Sequence, residues 1–278
     1  MTSAADARLL GRLRRAGCVF AEDELAELRR WASDAAELTA WVDRRVRGEP
    51  VEHLVGHVRF GDLDLAVGAQ TFVPRQRSLL LAKTVSRLIG HRRRPVVVEP
   101  FCGVGPIAAH VAATHRESTV FATDVDPEAV RLASRNVGIG RVRCGPGLSC
   151  LPAELRGRID VIAAVPPYVP ESAADLLPHE ARDHEPAAAL FGGGADGLDH
   201  VRSLLAEAPD WLTDGGTVAV ELNIGQLAAA RTAARAEGLS PVCVVDEVSV
   251  VDEVGDVVTD GDGQTALLVA ELSQRTPV

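Results

Sequence analysis

Two acidic residues on either side of a glycine turn offer the first chemistry in this chain. The run Val98-Glu99-Pro100-Phe101-Cys102-Gly103-Val104-Gly105-Pro106 sits where an apolar strand passes into a helix. Glycines at such a junction let the backbone approach a ligand closely, at the end of the sheet where open α/β proteins bind their ligands. A turn that merely packs remains the alternative for this motif by itself. The next strand ends in Thr123-Asp124-Val125-Asp126-Pro127. A carboxylate about 20 residues beyond a glycine loop suits the two hydroxyls of a ribose, and Asp124 takes that role. Asp126, directly before Pro127, reads as the cap of the following helix.

The ligand implied is not a dinucleotide. The glycine spacing is not G-x-G-x-x-G, and no phosphate-binding side chains stand out. Glu99, acidic and at a strand end, suits an ammonium better than a pyrophosphate. An ammonium partner and a ribose partner around a glycine turn together fit S-adenosylmethionine. Glu99, Phe101, Gly103, Gly105, Asp124 and Val125 are the candidate contacts. A third loop follows a later strand as Ala164-Val165-Pro166-Pro167-Tyr168-Val169-Pro170. Two prolines fix the directions of its carbonyls, and Tyr168 adds a flat wall with a polar tip. Such a loop makes a floor for a second substrate, with Pro166 and Tyr168 as candidate catalytic groups; an ordinary proline-rich loop is the competing reading.

The elements that must position these residues follow from periodicity. Apolar residues recur at three and four from about Ala4 to Arg47, broken at Gly17 and Ser33-Asp34, which predicts two or three helices. From Val55 to Val73 the pattern alternates around Gly61-Asp62 and predicts a β-hairpin. Beyond Pro74, helices are expected at 78–88, 107–113, 127–136, from 201, and at 227–236. Strands are expected at 96–98, 120–122, near 142, at 159–164 and at 217–222. Continuous apolar strands between amphipathic helices predict a doubly wound, mostly parallel α/β sheet. Val242–Val245 and Ala266–Ala270 lack an intervening helix and are expected to close it as an antiparallel pair. The domain expectation is a helical unit over 1–50, a hairpin bridge over 51–75 and an S-adenosylmethionine-binding domain over 76–278.

Downstream of the proline loop the chain runs Pro178-His179-Glu180-Ala181-Arg182-Asp183-His184-Glu185-Pro186, then Phe191-Gly192-Gly193-Gly194-Ala195-Asp196-Gly197-Leu198-Asp199. With Arg47-Gly48-Glu49-Pro50, Gly56, Phe60 and Val73-Pro74-Arg75, this resembles the glutamine-N5 methyltransferases of translation release factors. It is similar, over about residues 45–225, to members with an Asn-Pro-Pro-Tyr motif, a His-Glu-Pro and a Gly-Gly-x-Asp-Gly-Leu segment. The tract from Glu180 to Pro186 looks closer still to a related branch of unassigned substrate. The resemblance implies a class I S-adenosylmethionine-dependent methyltransferase with a Rossmann-like sheet, a small N-terminal helical domain and a hairpin bridge. It implies a release-factor-like protein substrate, with a small-molecule acceptor as the alternative. It also implies that Val165, Pro166, Pro167 and Tyr168 face the acceptor, and that His184 and Glu185 make lid or peptide contacts without moving protons. In the family the motif Asn and the first proline's carbonyl accept the two N–H groups of a glutamine amide, which orients a poor nucleophile.

This sequence departs from that pattern where it matters. Val165 stands at the motif Asn and cannot accept a hydrogen bond, so a bound amide would leave one N–H unpaired at a cost of about 1–3 kcal/mol. Phe101 replaces the first glycine of the cofactor loop. Pro146 replaces an acidic residue near the adenine end. Leu79 stands at the glutamate after Pro-Arg-x-x-Thr. Three readings stay open: a methyltransferase with another acceptor, protein or specialised small molecule; a slower glutamine methyltransferase; or a non-catalytic binding protein on the same fold.

Composition narrows the class. The 278 residues are 46% apolar with a net charge of −10, which favours a packed core and argues against direct nucleic-acid binding. The five cysteines (18, 102, 144, 150 and 243) form no C-x-x-C pair and read as reduced, mostly buried thiols. His53 and His57 have helical zinc spacing but fall at an expected strand start without a third ligand, so no metal is expected. Asp246, Glu247, Asp252, Glu253, Asp256, Asp260 and Asp262 lack EF-hand order and read as a solvated loop. Met1–Arg8 carries no apolar signal core, and no apolar run nears the ~18 residues of a membrane span, so a cytoplasmic protein is expected.

Overall fold

The computed structural model describes residues 4–242, 250–251, 257–258 and 263–273. Three amphipathic helices lead: α1 (Ala4–Arg15), α2 (Ala21–Trp31) and α3 (Ala35–Arg45). Their apolar stripes meet in one cluster built on Leu13, Leu28 and Val42. The Asp34 side chain starts α3 by accepting from Ala36 and Glu37 N–H.

A short helix, α4 (Val51–Val55), comes next, where the expected bridge would already be extended. Pro50 precedes it, and Gly56 ends it in the left-handed region at φ 76°. Five residues are too few for a 3.6-residue period to register, so this helix was not legible. The hairpin is correspondingly shorter: β1 (His57–Phe60) pairs with β2 (Leu63–Ala66) around Gly61-Asp62. His53 therefore lies on α4, not on a strand, and its Nε2 bonds the Thr71 carbonyl at 2.9 Å. His57, on β1, stacks on Trp31 with ring centroids 4.2 Å apart. The two imidazoles serve packing on different elements.

The remaining chain alternates helix and strand: α5 (Leu79–Ile89), β3 (Val96–Pro100), α6 (Pro106–Thr114), β4 (Thr119–Asp124), α7 (Pro127–Val137), β5 (Val142–Cys144), β6 (Ile159–Ala164), α8 (His179–His184), α9 (Ala187–Leu190), α10 (Asp199–Trp211), β7 (Leu212–Asn223), α11 (Leu227–Ala236), β8 (Leu239–Pro241), β9 (Val250–Val251), β10 (Val257–Val258) and β11 (Thr265–Leu272). The sheet order is β5-β4-β3-β6-β7-β11-β10-β9, with β8 also on β11. Strands β5, β4, β3, β6 and β7 are mutually parallel, and β11 runs antiparallel beside β7 and β8.

Strand residues divide between two faces with period two. Val97, Val161 and Ala163 join the cluster that holds α5, α6, α7 and the hairpin's Val58, Phe60 and Leu65. Val98, Ile162 and Ala164 join the cluster under α10 and α11. Both faces are covered, which explains why the strands read as unbroken apolar runs. The hairpin thus packs into the core of the sheet. The closing antiparallel arrangement is present, but its strand is Leu239–Pro241; of the expected Val242–Val245, the last three residues lie outside the described residues. The acidic residues Asp246, Glu247, Asp252, Glu253, Asp256, Asp260 and Asp262, and Cys243, lie there too. Among the described cysteines Cys102 is buried, Cys18 and Cys150 are half-buried and Cys144 is exposed, so the expectation of mostly buried thiols holds for few of them. No described helix is long and apolar enough to cross a membrane.

Candidate active site

Chain order reverses beside β3: β4 and β5 extend the sheet one way, β6 and β7 the other. The carboxyl ends of β3, β4 and β6 open there into a crevice lined by Glu99, Phe101, Gly103, Asp124, Val125 and Val165. Its empty space is about 880 Å³, open mouth included. The turn after β3 holds three successive left-handed residues at alternate positions, Phe101 (φ 54°), Gly103 (φ 50°) and Gly105 (φ 77°). A β-carbon on Gly103 would meet nothing within 4 Å, so that backbone faces the open crevice. One on Gly105 would lie 2.8 Å from Val137 Cγ2. Gly105 is therefore needed for the close approach of α6 to α7, and Gly103 for the turn.

Glu99 is 2% exposed. Its two oxygens accept from Ile107 N–H at 3.2 Å and Ala108 N–H at 2.7 Å, the free donors of the first turn of α6. Burial nevertheless pushes its carboxyl up to about 8, against the pull of those two N–H groups. Asp124 braces the turn from β4. One oxygen accepts from Gly103 N–H at 2.7 Å, the other from Asp126 N–H at 2.9 Å. Burial raises its carboxyl as well. Asp126 caps α7 by accepting from Glu128 N–H, as its place before Pro127 led one to expect. Asn136, on α7, ties the hairpin to the turn: its side chain accepts from Ala66 N–H and donates to the carbonyls of Ala66 and Val104.

A second cavity adjoins the first. Val165, Pro166, Pro167 and Tyr168 form one wall, and the segment from Ala173 through Leu190 forms another. The two cavities share Phe72, Arg75, Val165, Pro167 and Ala189. Backbone bonds join the Tyr168 loop to the glycine-rich segment after α9: Val169 N–H donates to Leu190 and Gly192 N–H to Val169. Gln226 Nε2 clamps both by donating to the carbonyls of Tyr168 and Asp196, each at 2.7 Å. The Tyr168 hydroxyl accepts from Arg77 Nη2 at 3.2 Å, and Arg77 Nε lies 3.5 Å from Glu221. Burial raises the Tyr168 phenol, and Glu221 adds to it, so the hydroxyl stays protonated and acts as a fixed dipole.

Of the two residues expected to make lid or peptide contacts, Glu185 is at the cavity and His184 is not. The Glu185 side chain is 1% exposed and takes Arg75 Nη2 on both oxygens, at 2.8 and 2.7 Å, plus Val73 N–H. It fastens the segment to the strand-to-helix connection at 73–75. His184 ends α8 and lies toward Gly48. On the outer side Arg45, itself buried, pairs with Glu24 at 2.7 Å and with Glu180 at 2.6 Å, so the N-terminal helices grip α8.

No protein-family model matches the chain. Sequence comparison is decisive. A release factor glutamine methyltransferase of Xylella fastidiosa is 34% identical over 226 residues, covering 80% of this chain and 81% of that protein. The protein of the same name from Moorella thermoacetica is 35% identical over 221 residues, 77% of either chain. The chain belongs to the release factor glutamine methyltransferase family. The fold agrees: a methyltransferase structure from Pyrococcus furiosus superposes with a TM-score of 0.50 at 20% identity, covering 84% of this chain and 99% of that one. The chain is thus an enzyme of the S-adenosylmethionine-dependent methyltransferase class.

Within this family's frame the four departures acquire physical context. Phe101 keeps the left-handed backbone that the family's glycine supplies without strain, at a cost of about 1 kcal/mol. Its ring packs against His200 with centroids 5.6 Å apart. Leu79 lies against Gly61 of the hairpin, spending on packing the position of an acid. Gly145 and Gly147, on either side of Pro146, line the crevice. Val165 stands at the junction of the two cavities and packs on the core. Reasoning from sequence missed Asn136, Gln226, Arg77 and Glu52. Each acts through a partner 30 or more residues away or through a cavity, so no local motif could have flagged it.

Proposed function

We propose that this chain binds S-adenosylmethionine in the crevice and methylates an acceptor held in the adjoining cavity, and that this acceptor is not a glutamine amide. The observation that carries the reading is the meeting of the two cavities at Val165 and Pro167, beside the braced glycine turn. The residues fit the cofactor. Each oxygen of Glu99 and of Asp124 accepts one N–H and keeps a further lone pair, for an ammonium and a ribose respectively. Gly103 leaves room for close approach, and Val125, largely exposed, forms an apolar rim for the adenine side. Bound there, S-adenosylmethionine supplies an electrophilic methyl on a positively charged sulfur.

The chain's own part is positioning. The Pro166 carbonyl accepts one polar hydrogen of the acceptor and aims its lone pair at the methyl. Val165 offers an apolar flank where the family motif has a second acceptor. An acceptor atom with a single polar hydrogen, such as a hydroxyl or a secondary amine, satisfies that pair of groups with nothing left unpaired. Tyr168, locked by Arg77 and Gln226, walls the site and limits the acceptor's approach. The acceptor belongs to a protein side chain, as the relatives' names indicate for those proteins, or to a small molecule.

Calorimetry with S-adenosylhomocysteine tests the reading. Binding by the wild-type chain is expected, weakened about 100-fold by Asp124→Ala, which removes both the ribose partner and the brace on Gly103. Absence of binding at millimolar ligand by the folded protein would sink it.

A further inference from the structure

Five charged side chains line the acceptor cavity: Glu52, Arg75, Arg77, Glu180 and Glu185. Four of them are paired with side chains of opposite charge. Arg75 is held by Glu185, with its guanidinium over the Phe72 ring. Arg77 pairs with Glu221, and Glu180 pairs with Arg45, which it shares with Glu24. Glu52 differs: no cationic side chain among the described residues pairs with its carboxylate. It projects from the first turn of α4, where the acceptor cavity meets the groove between α2 and the hairpin. The uncompensated charge of the cavity is therefore negative, and Glu52 is the lining carboxylate that carries it without a paired cation. Burial pushes the Glu52 carboxyl above the usual glutamate range, with its own backbone N–H and the more distant Arg75 pulling the other way. A half-buried carboxylate without a counter-charge is costly in the empty cavity, and a cation placed against it recovers that cost.

We propose that Glu52 is a specificity residue for a cationic group on the methyl acceptor, a protonated amine or a guanidinium seated in the cavity beside the Val165–Tyr168 wall. This rests on reading that cavity as the acceptor site. The cation pairs with Glu52 while Arg75 and Arg77 stay with their own carboxylates. Anionic acceptors meet no free cation there and face the Glu52 charge. The chemistry is shared by two sources, a basic side chain of a protein substrate and a free amine.

The test is a calorimetric titration of the full-length protein with n-butylguanidinium, n-butylammonium, the neutral n-butyramide, n-butyrate and the peptide acetyl-Gly-Arg-Gly-amide. Each is run with and without saturating S-adenosylhomocysteine. The two small cations are expected to bind at least about ten-fold more tightly than butyramide and butyrate, the margin of a charge-assisted hydrogen bond. Glu52→Gln is expected to erase that margin while leaving S-adenosylhomocysteine affinity unchanged, and Glu52→Asp to restore part of it. Peptide binding tighter than butylguanidinium identifies a protein side chain as the source; weaker peptide binding identifies a free amine. Equal binding of butyramide, preference for butyrate, no binding of any cation, or an unaltered margin in Glu52→Gln overturns the proposal. The wild-type selectivity decides even if the variant does not fold. Failure of S-adenosylhomocysteine to bind would fall on the cofactor reading, because the cation titration is also made without it.

Discussion

Val165→Asn restores a hydrogen-bond acceptor at the point where the cofactor crevice and the acceptor cavity meet. In the wild type, a glutamine amide held by the Pro166 carbonyl would turn its second N–H toward the valine methyls. Leaving that donor unpaired costs about 1–3 kcal/mol, which is about 5- to 150-fold in kcat/KM, before any loss of alignment with the methyl. The gain should appear mainly in kcat if the amide is misaligned and mainly in KM if it is only weakly held. Valine and asparagine are close in size, so the wall keeps its shape. The variant loses some apolar packing against the core cluster that Val165 touches, about 1 kcal/mol of stability. The assay is transfer of labelled methyl from S-adenosylmethionine to a Gly-Gly-Gln peptide, with S-adenosylhomocysteine affinity measured alongside. Equal or lower rates for the variant, at unchanged cofactor affinity, would refute the reasoning that Val165 disfavours an amide.

Three further outcomes follow from the geometry. Burial raises the Glu99 carboxyl from a usual 4.5 to about 8, so its contribution to stability is full below about 4.5 and lost as pH rises through about 8, on the order of 5 kcal/mol. Thermal unfolding of the ligand-free protein should therefore occur at lower temperature at pH 8 than at pH 5, and Glu99→Gln should flatten that slope; an unchanged slope counts against Glu99 as its source. Asn136→Ala removes three hydrogen bonds between the hairpin, α7 and the glycine turn. It should cost about 2–4 kcal/mol in denaturant unfolding and weaken S-adenosylhomocysteine as well. Glu185→Gln cuts a pair whose acid is buried and whose Arg75 is about a third exposed, so the loss is about 1–3 kcal/mol after screening. Limited proteolysis should then cut within residues 171–190 faster, whereas cofactor affinity stays near wild type.

The alternating helix and strand pattern from Pro74 onward was legible because both faces of the sheet are covered, which forces apolar runs such as Val96-Val97-Val98 and Ile159–Ala164. The glycine turn, Asp124 at a strand end and the Asp126-Pro127 helix start were legible because each is a local demand on backbone geometry. The family motifs likewise marked Val165 as a substitution. Other features had no local signature. Helix α4 is one turn long and has no period to detect. Residues 179–190, where the periodicity predicts no helix, fold as two short helices, held by Arg45 on one side and Arg75 on the other. Glu185 read as a substrate contact, but its oxygens are taken by Arg75 and Val73 N–H.

Sequence by itself thus determined the fold class, the glycine turn with its acidic flanks and the loss of an acceptor at Val165. These depend on residues near one another in the chain, or on a residue's own capacity to hydrogen-bond. Tertiary structure decided which charges in the second cavity are paired, that Glu52 is not among them, and that His184 turns away while Arg77 holds Tyr168. Those outcomes depend on pairs such as Arg77–Glu221 and Arg75–Glu185, more than 100 residues apart in the chain, and only closing the sheet and docking the N-terminal helices brings such partners within hydrogen-bonding reach.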